Sequence, residues 1–577
     1  MGKRSGAVHV ARIVRKYKER EYVSFLLRRS YREAGKVRHE TLANLSALPA
    51  QAIDALRASL AGQRLVDAEG AFEITRSLPH GHVAAVWAMA RALGLPALLG
   101  PVGPERDLAM ALIVARVCQP GSKLATTRWW QDTTLAVDLG VEQASTDQVY
   151  AAMDWLGARQ AKIEAALARR HLVPGGLVYY DLSSSWVEGT HCPLAARGYS
   201  RDGKRGNAQI EYGLLTDPGG RPVAVEVFAG STGDPATVGA TVGKLRDRFD
   251  LRQVVLVGDR GMLTAARIDT LRELGGIDWI TTLRAPAIAA LATAGVIQPS
   301  LLDQVNLAEV THPDYPRERL VVCRNPLLGA ERARKRTELL AATETELDKV
   351  AASVQAGRLR AAGKIGVRVG RVLGRFKMAK HFTLDISDGH LAYARNQPAI
   401  DAEAALDGIY VVRTSVSASQ LDATGLVEAY KRLSNVERDF RSLKTVDLEL
   451  RPIHHHLEPR VRAHVLVCML AAYLVWHLRK AWAPLCFTDE HPPVRTDPVA
   501  PAQRSPAATR KASTHHTPDG IPAHSFSTLL DHLATLTRDD IAFTTPTRTQ
   551  IQKLATPTPT QRRAFQLIQA VIPLTLT

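Results

Sequence analysis

The spacing of hydrophobic residues changes several times along the chain. Residues 8–45 alternate apolar and basic positions, which predicts a small basic β-meander. From about 50 to 172 apolar residues recur three and four positions apart, which predicts an all-helical unit. Residues 175–284 read as a strand, a hairpin and then alternating strands and helices, and this order indicates an α/β fold with a mixed sheet flanked by helices.

The α/β pattern is then interrupted. Residues 286–404 contain short strands, a long charged helix and a basic stretch from Lys364 to Lys380, which we interpret as an inserted α+β subdomain. A strand-like run at 408–414 resumes the sheet, and two helices are predicted after it, Ser419 to Thr445 and the apolar Glu458 to Arg479. After Cys486 the chain is dominated by Pro, Thr, His and Arg, a composition typical of a linker.

These changes divide the chain into seven predicted regions. They are a basic β-rich arm (1–60), a helical region (61–172), the first part of an α/β core (173–285), the inserted subdomain (286–404), the second part of the core (405–485), a disordered linker (486–525) and a short helical tail (526–577).

The chain is strongly basic. Its 577 residues include 74 Lys and Arg against 57 Asp and Glu, for a net charge of +17, which raises the local concentration of any polyanion. Twelve of the basic residues and four of the acids lie in residues 1–40. Nucleic acid is the expected partner. The alternative is an Arg-rich composition caused by codon bias, with the charges on solvated faces.

The cysteines and apolar runs indicate where such a protein works. The five cysteines contain no Cys-x-x-Cys pair, so neither a disulfide framework nor a zinc knuckle is predicted, and His454 to His456 with His464 fit no familiar zinc spacing. The longest apolar run, Val465 to Trp476, is too short to span a bilayer, and the N-terminus lacks an apolar signal core. We expect a cytoplasmic, nucleoid-associated protein without membrane contact.

Two aspartates follow predicted buried strands. Asp181 ends the run Gly176-Leu-Val-Tyr-Tyr-Asp181, and Asp259 ends Val254-Val-Leu-Val-Gly-Asp259. If these strands are neighbours, their carboxyl ends converge, and carboxylates clustered there can hold two Mg²⁺ ions roughly 3.5–4 Å apart. Glu437 lies instead on a predicted helix. The alternatives are a turn or capping role for Asp181, and a structural turn with a local ion pair at Asp259-Arg260-Gly261.

The predicted helix carrying Glu437 also carries cations. Tyr430, Glu437 and Lys444 share one stripe at sevenfold spacing, which passes near Arg441, and a carboxylate flanked by cations suits a phosphate-bearing site. Taken alone, Lys444 reads as a solvated surface residue. Arg201, Lys204 and Arg205 could form a solvated loop, but their place between the first two predicted core strands favours a phosphate contact.

Four motifs occur in an order that resembles one enzyme family. They are Tyr179-Tyr-Asp181-Leu-Ser-Ser-Ser, Gly198-Tyr-Ser-Arg-Asp-Gly-Lys-Arg205, Gly258-Asp259-Arg260-Gly261 and Tyr430-Lys-Arg-Leu-Ser-Asn-Val-Glu437 through Lys444. Over residues 1–485 or so, the chain resembles an insertion-sequence DDE transposase with an RNase H-like core and a β-rich insertion between the second Asp and the Glu. The family has Arg three residues after the Tyr; here that position is Leu433, and Arg lies at 432.

The resemblance implies a reaction and roles for single residues. It implies Asp181, Asp259 and Glu437 as catalytic metal ligands for two Mg²⁺ ions, with Mn²⁺ as a substitute. It implies hydrolysis at the transposon ends, which frees a 3′-hydroxyl, and joining of that hydroxyl to target DNA. Residues expected at double-stranded DNA are Tyr430, Arg432, Lys444, Arg441, Lys204, Arg205 and Arg260. The first two predicted regions would recognise terminal inverted repeats, and a homodimer would form across the paired ends.

Two other functions fit the same residues. One is a two-metal nuclease that cuts DNA without joining it. The other is a catalytically inactive, element-derived DNA-binding protein, against which the intact acids argue.

Overall fold

The computed structural model describes residues 6–18, 20–33, 35–63, 71–204, 206–302, 306–495, 497–544 and 549–576. The chain divides into two compact units. The first unit consists of Met1–Ser77 and Arg538–Ala555, and the second of Leu78–Thr537 and Thr556–Thr577.

The strands in the described part of the chain are β1 (Ala7–Tyr17), β2 (Arg20–Glu33), β3 (Lys36–Asn44), β4 (Phe72–Pro79), β5 (Leu177–Trp186), β6 (Gln209–Thr216), β7 (Pro222–Ala229), β8 (Val254–Val257), β9 (Ile277–Thr282), β10 (Leu307–Val310), β11 (Arg319–Arg324), β12 (Phe382–Ser387), β13 (His390–Arg395), β14 (Ile409–Thr414), β15 (Thr537–Phe543) and β16 (Gln550–Leu554).

The helices are α1 (Ala50–Leu60), α2 (Gly81–Ala92), α3 (Leu95–Leu99), α4 (Pro104–Cys118), α5 (Lys123–Gln131), α6 (Thr134–Leu139), α7 (Thr146–Gly157), α8 (Gln160–His171), α9 (Asp234–Gly243), α10 (Ala265–Leu274), α11 (Ala285–Thr293), α12 (Pro326–Gln355), α13 (Ala362–Phe376), α14 (Gln397–Ala404), α15 (Ala423–Lys431), α16 (Leu433–Arg441), α17 (Glu458–Ala481), α18 (Pro506–Thr514), α19 (Phe526–Ala534) and α20 (Pro559–Leu567). Short π-helical turns follow α9 (Lys244–Arg248) and α16 (Ser442–Val446).

The first unit contains the predicted meander. Strands β1, β2 and β3 pair antiparallel in sequence order. A second small sheet has the order β16-β15-β4, so residues 538–555 belong to this unit. The tail predicted as helical at 526–577 therefore also contains two strands, β15 and β16. Strand β4 lies inside the region predicted as helical from 61 onward, and the helices α2–α8 begin only after it.

The second unit is built on one mixed sheet with the order β10-β11-β14-β9-β8-β5-β6-β7. Strands β5, β8 and β9 are parallel; helix α9 leads from β7 into β8, and helix α10 leads from β8 into β9. Strands β6 and β7 continue the sheet antiparallel. Asp217 fixes their hairpin, since its carboxylate accepts the backbone N–H groups of Gly219 and Arg221 at 2.9 and 2.8 Å.

The predicted boundary of the insertion differs from the structure. Strands β10 and β11 fall within 286–404, yet they pair with β14 and extend the main sheet. Their apolar residues, such as Leu320 and Val322, are fully buried beneath α11. What stands apart is a smaller subdomain of α12, α13, α14 and the β12–β13 hairpin, with its own core around Leu347 and Ile365.

The expected linker at 486–525 is wrong for its described residues. It contains α18, which begins at Pro506 after the capping residue Ser505, so Pro serves here as a helix start. The buried Lys511 ammonium donates to the carbonyl of Cys486 and to the Glu490 carboxylate, both at 2.9 Å. The polar composition alone predicted disorder, but the polar groups of this segment form hydrogen bonds and ion pairs with one another.

Helix α17 carries the longest apolar run. Within the described ranges it is the single helix long and apolar enough to cross a membrane by length and composition, and most of it is buried inside the protein. It packs against α4, α7 and β7 as the central helix of the second unit.

Candidate active site

Asp181 and Asp259 lie at the same level of two adjacent strands. In the parallel pair β5–β8, Tyr179 is paired with Val257, and each aspartate lies two residues beyond its paired neighbour. Parallel strands are roughly 4.8 Å apart, so this register brings the two carboxylates together. Strand β5 does not end at Asp181 as predicted; it runs on to Trp186, because beyond β8 it stays paired with β6.

Glu437 reaches the same place from a helix. On α16, Leu433, Val436 and Phe440 are buried, and the helix packs against β5, whereas Glu437 is exposed. The predicted continuous helix from 419 to 445 is wrong. A turn at Arg432 separates α15 from α16, and a π-helical turn follows at Ser442. The helix that carries the glutamate is therefore a separate nine-residue segment.

The three acids line one open cleft of about 400 Å³. Its other charged residues are Arg201, Arg441 and Lys444, which the sequence suggested as phosphate contacts, and Asp202 and Arg451, which it did not. The structure thus brings together residues from β5, from the end of β8, from α16 and from the loop before β6.

The electrostatics of Asp181 show that the three carboxylates influence each other. The pKa of Asp181 is raised from 3.8 to about 7, chiefly by burial and to a smaller extent by the negative charges of Asp259 and Glu437. The backbone N–H of Leu182, which donates to Asp181 Oδ1 at 2.8 Å, and the Arg201 guanidinium act in the opposite direction.

This donor set fits a hard divalent cation. Carboxylate oxygens are preferred ligands of Mg²⁺, and a cation would relieve the repulsion among three acids in one cleft. Among the residues that the structure describes, no group of three or more acidic, His or Cys side chains is arranged as a complete metal site. The acids share the cleft without converging on one point.

Because its pKa is raised, ionised Asp181 destabilises the folded protein above neutral pH. Because the pKa of Asp181 is higher in the folded than in the unfolded state, protonation of Asp181 stabilises the folded protein. This contribution is complete below about pH 4 and is lost as pH rises through about 7. In EDTA, Asp181→Asn should therefore melt at the same temperature as the native protein at pH 4 and at a higher temperature at pH 8. Thermal unfolding across this range measures it; equal melting temperatures at pH 8 would contradict the assigned environment.

Lys444 is buried, so the solvated alternative is wrong. Its ammonium donates to Asp202 Oδ1 at 2.9 Å, and the Arg451 guanidinium pairs with the same oxygen. Burial lowers the pKa of Lys444, and the Asp202 carboxylate opposes that effect. One carboxylate, 3% exposed, therefore holds two cations in the wall of the cleft.

The other predicted DNA contacts lie at varied positions. The Tyr430 hydroxyl is 3.1 Å from the Thr282 hydroxyl. Burial raises the pKa of Tyr430, and the negative charges of Asp259 and Glu437 act in the same direction. Arg432 is half-exposed, 4.0 Å from Glu428.

The two remaining described cations lie outside the cleft lining. Lys204 is exposed, with its ammonium 5.4 Å from the centre of the Trp186 ring. Arg260 lines a neighbouring cavity of about 440 Å³ together with Arg284. Arg205 lies outside the described residues.

Sequence reasoning missed two charged residues of the cleft, Asp202 and Arg451. Asp202 stands inside the Gly198–Arg205 motif, where only the cations were considered. Arg201 stands beside it, 3.5 Å from the buried Glu211 carboxylate. Arg451 had no signal, because nothing in its local sequence places it opposite Asp202.

The fold and the cleft define a mixed α/β protein with an acid-lined site at the ends of adjacent parallel strands. The chain belongs to the DDE transposases, because the family model for the transposase DDE domain matches residues 183–474, half of the chain. Residues 10–70 match the N-terminal domain of IS1634 family transposases. No curated protein matched the chain. The chain is thus an insertion-sequence transposase, and its family implies DNA as the substrate.

Proposed function

We propose that Asp181, Asp259 and Glu437 are the catalytic acids of this transposase and hold two divalent cations, Mg²⁺ or its substitute Mn²⁺. The observation that carries this proposal is the register of β5 and β8, which sets both aspartates at one level beside Glu437. The family match includes Asp259 and Glu437 and begins two residues after Asp181.

We also assign the core to the RNase H-like fold. Five neighbouring strands of the sheet have the order β7-β6-β5-β8-β9. If β5 is counted as the first strand of the core, this order is 3-2-1-4-5. Strands β5, β6 and β7 pair antiparallel with one another in sequence order, and β8 and β9 are parallel to β5. This order is supported in sequence by the hairpin signal and the following strand–helix alternation.

The residues of the cleft have distinct tasks in this reaction. Asp181 would release its proton to solvent when it serves as a ligand, and the Leu182 N–H fixes the direction of its carboxylate. Two bound cations supply activation of the attacking oxygen and stabilisation of the leaving oxygen. Arg441 lines the cleft and would orient the DNA phosphate together with Tyr430, whose hydroxyl is within range of the charges of Asp259 and Glu437. Asp202 holds Lys444 and Arg451 in place.

We infer that the reaction is hydrolysis at terminal inverted repeats followed by joining of the freed 3′-hydroxyl to target DNA. The test uses labelled DNA that carries the element's own ends, incubated with native protein in Mg²⁺ or in EDTA. Release of a 3′-end and strand transfer, both only with Mg²⁺, are the expected result. Cleavage without transfer would identify a nuclease, and tight end binding without cleavage would identify an inactive DNA-binding protein.

We further propose a homodimer that bridges the two ends. Light scattering of the protein with a short end duplex should give a complex of two chains and two duplexes; a complex with the mass of a single chain and a single duplex would contradict this.

A further inference from the structure

Helix α13 presents a line of cations to solvent. Lys364, Arg368, Arg371 and Arg375 recur at intervals of four, three and four residues, which puts them on one face of the helix. All four side chains are exposed. From Ala356 to Lys380 the sequence contains eight Lys and Arg residues and no acid.

The neighbouring helix shows what a neutralised surface looks like. Helix α12 has five acids and five bases, and three of its four exposed cations are paired: Arg334 with Glu331 and Glu338, Lys335 with Glu331, and Lys349 with Glu346. Within the described ranges, none of the four cations of the α13 line forms such an ion pair. The charge of Arg375 contributes to lowering the pKa of Glu346, but among the described residues Arg375 forms no ion pair with a carboxylate.

A basic amphipathic helix can also lie on a membrane, but α13 has no apolar face to offer. Ile365, Val369 and Leu373 are buried in the core of the α12–α13 subdomain. Membrane-surface helices insert their apolar face between lipid headgroups. Here that face is already used, so only the charge is available to a partner. A charged face without an apolar one suits a polyanion bound through its phosphates.

We propose that the cationic line of α13 is a second DNA-binding surface, which contacts the phosphate backbone of duplex DNA without reading its sequence. Eleven residues separate Lys364 from Arg375, about 16 Å along the helix axis at 1.5 Å per residue. A major groove is about 12 Å wide, so the line can reach phosphates on both of its sides. This inference rests on the proposed function only in taking DNA as the substrate.

The test is the salt dependence of DNA binding by the full-length protein. The observed affinity falls with salt at a slope of about −0.9 per phosphate contact. We expect Arg368→Gln with Arg371→Gln to reduce the magnitude of the slope by about 1.8, equally for end DNA and for an unrelated duplex. Replacing both residues by Lys should restore the native slope, because Lys keeps the charge.

The matched control removes two exposed cations that already have partners. Arg334→Gln with Lys349→Gln changes the net charge by the same amount on the adjacent helix. Its slope should stay close to the native one. An equal loss of slope in this control would mean that net charge alone is responsible and would overturn the proposal.

Two other results would also overturn it. One is an unchanged slope in the Arg368/Arg371 variant while native cleavage proceeds normally; the proposed transposase function would then stand without this surface. The other is binding to phosphatidylserine vesicles that depends on these arginines while DNA binding does not. Failure of the native protein to bind DNA at all would instead refute the proposed function.

Discussion

The Glu437→Gln variant is expected to lose cleavage of its DNA ends by a factor of about 10³ or more, while it still binds them. Glutamine keeps the shape of the side chain and removes the charge that would hold a cation. Metal-ion stabilisation of a phosphoryl transition state contributes several kcal/mol. Each 1.36 kcal/mol is a factor of ten in rate, so a loss of about 4 kcal/mol gives this factor. Because Glu437 is exposed, the fold should be unaffected.

The measurement is single-turnover cleavage of labelled end DNA in Mg²⁺, with binding followed separately by gel shift. Glu428→Gln is the control, since it removes an exposed carboxylate from the preceding helix α15. It should cleave at the native rate. If Glu437→Gln keeps Mg²⁺-dependent cleavage, Glu437 is not one of the catalytic acids.

The second large effect is on stability. Asp202→Ala should lower the free energy of unfolding by about 3–5 kcal/mol, because it leaves the Lys444 ammonium and the Arg451 guanidinium without their shared partner in a buried site. The side chains of Asp202 and Lys444 are 3% and 10% exposed, so solvent cannot replace the lost carboxylate. Denaturant unfolding at pH 7 measures the change.

Asp314→Ala provides the comparison, since its carboxylate is 81% exposed and faces His312 at 3.6 Å. Loss of such a surface pair costs about 1 kcal/mol or less. A double variant, Asp202→Asn with Lys444→Met, should be less destabilised than the sum of the single changes, because the two side chains interact directly. Additive losses, or a small effect of Asp202→Ala, would show that the cluster does not stabilise the cleft.

The sequence predicted the acids because they follow short apolar runs. Val254 to Val257 is buried on both faces of the sheet, and Asp259 follows it after Gly258. Local pattern cannot show pairing, however. It ended β5 at Asp181, although pairing with β6 carries that strand on to Trp186, and it assigned β10 and β11 to the insertion, although they pair with β14.

The cationic wall of the cleft illustrates a different limit. Lys444 read as a surface residue because its burial depends on Asp202, 242 positions earlier in the chain. Likewise, the helix stripe suggested one straight helix, whereas the turn at Arg432 divides it. Contacts between distant residues and breaks within polar helices leave little trace in hydrophobic spacing, so both had to come from the structure.

The junction between β11 and α12 has a mechanical consequence. Only Asn325 separates the last residue of the strand from Pro326, and Arg336 on the helix pairs with Asp407 just before β14. A helix of 30 residues is about 45 Å long, so α12 is a stiff lever fixed to the sheet at its base. The direction in which each residue of α12 points is therefore set by its distance in sequence from the base of the helix. One residue added near the base would rotate everything beyond it by about 100° and shift it by about 1.5 Å along the axis.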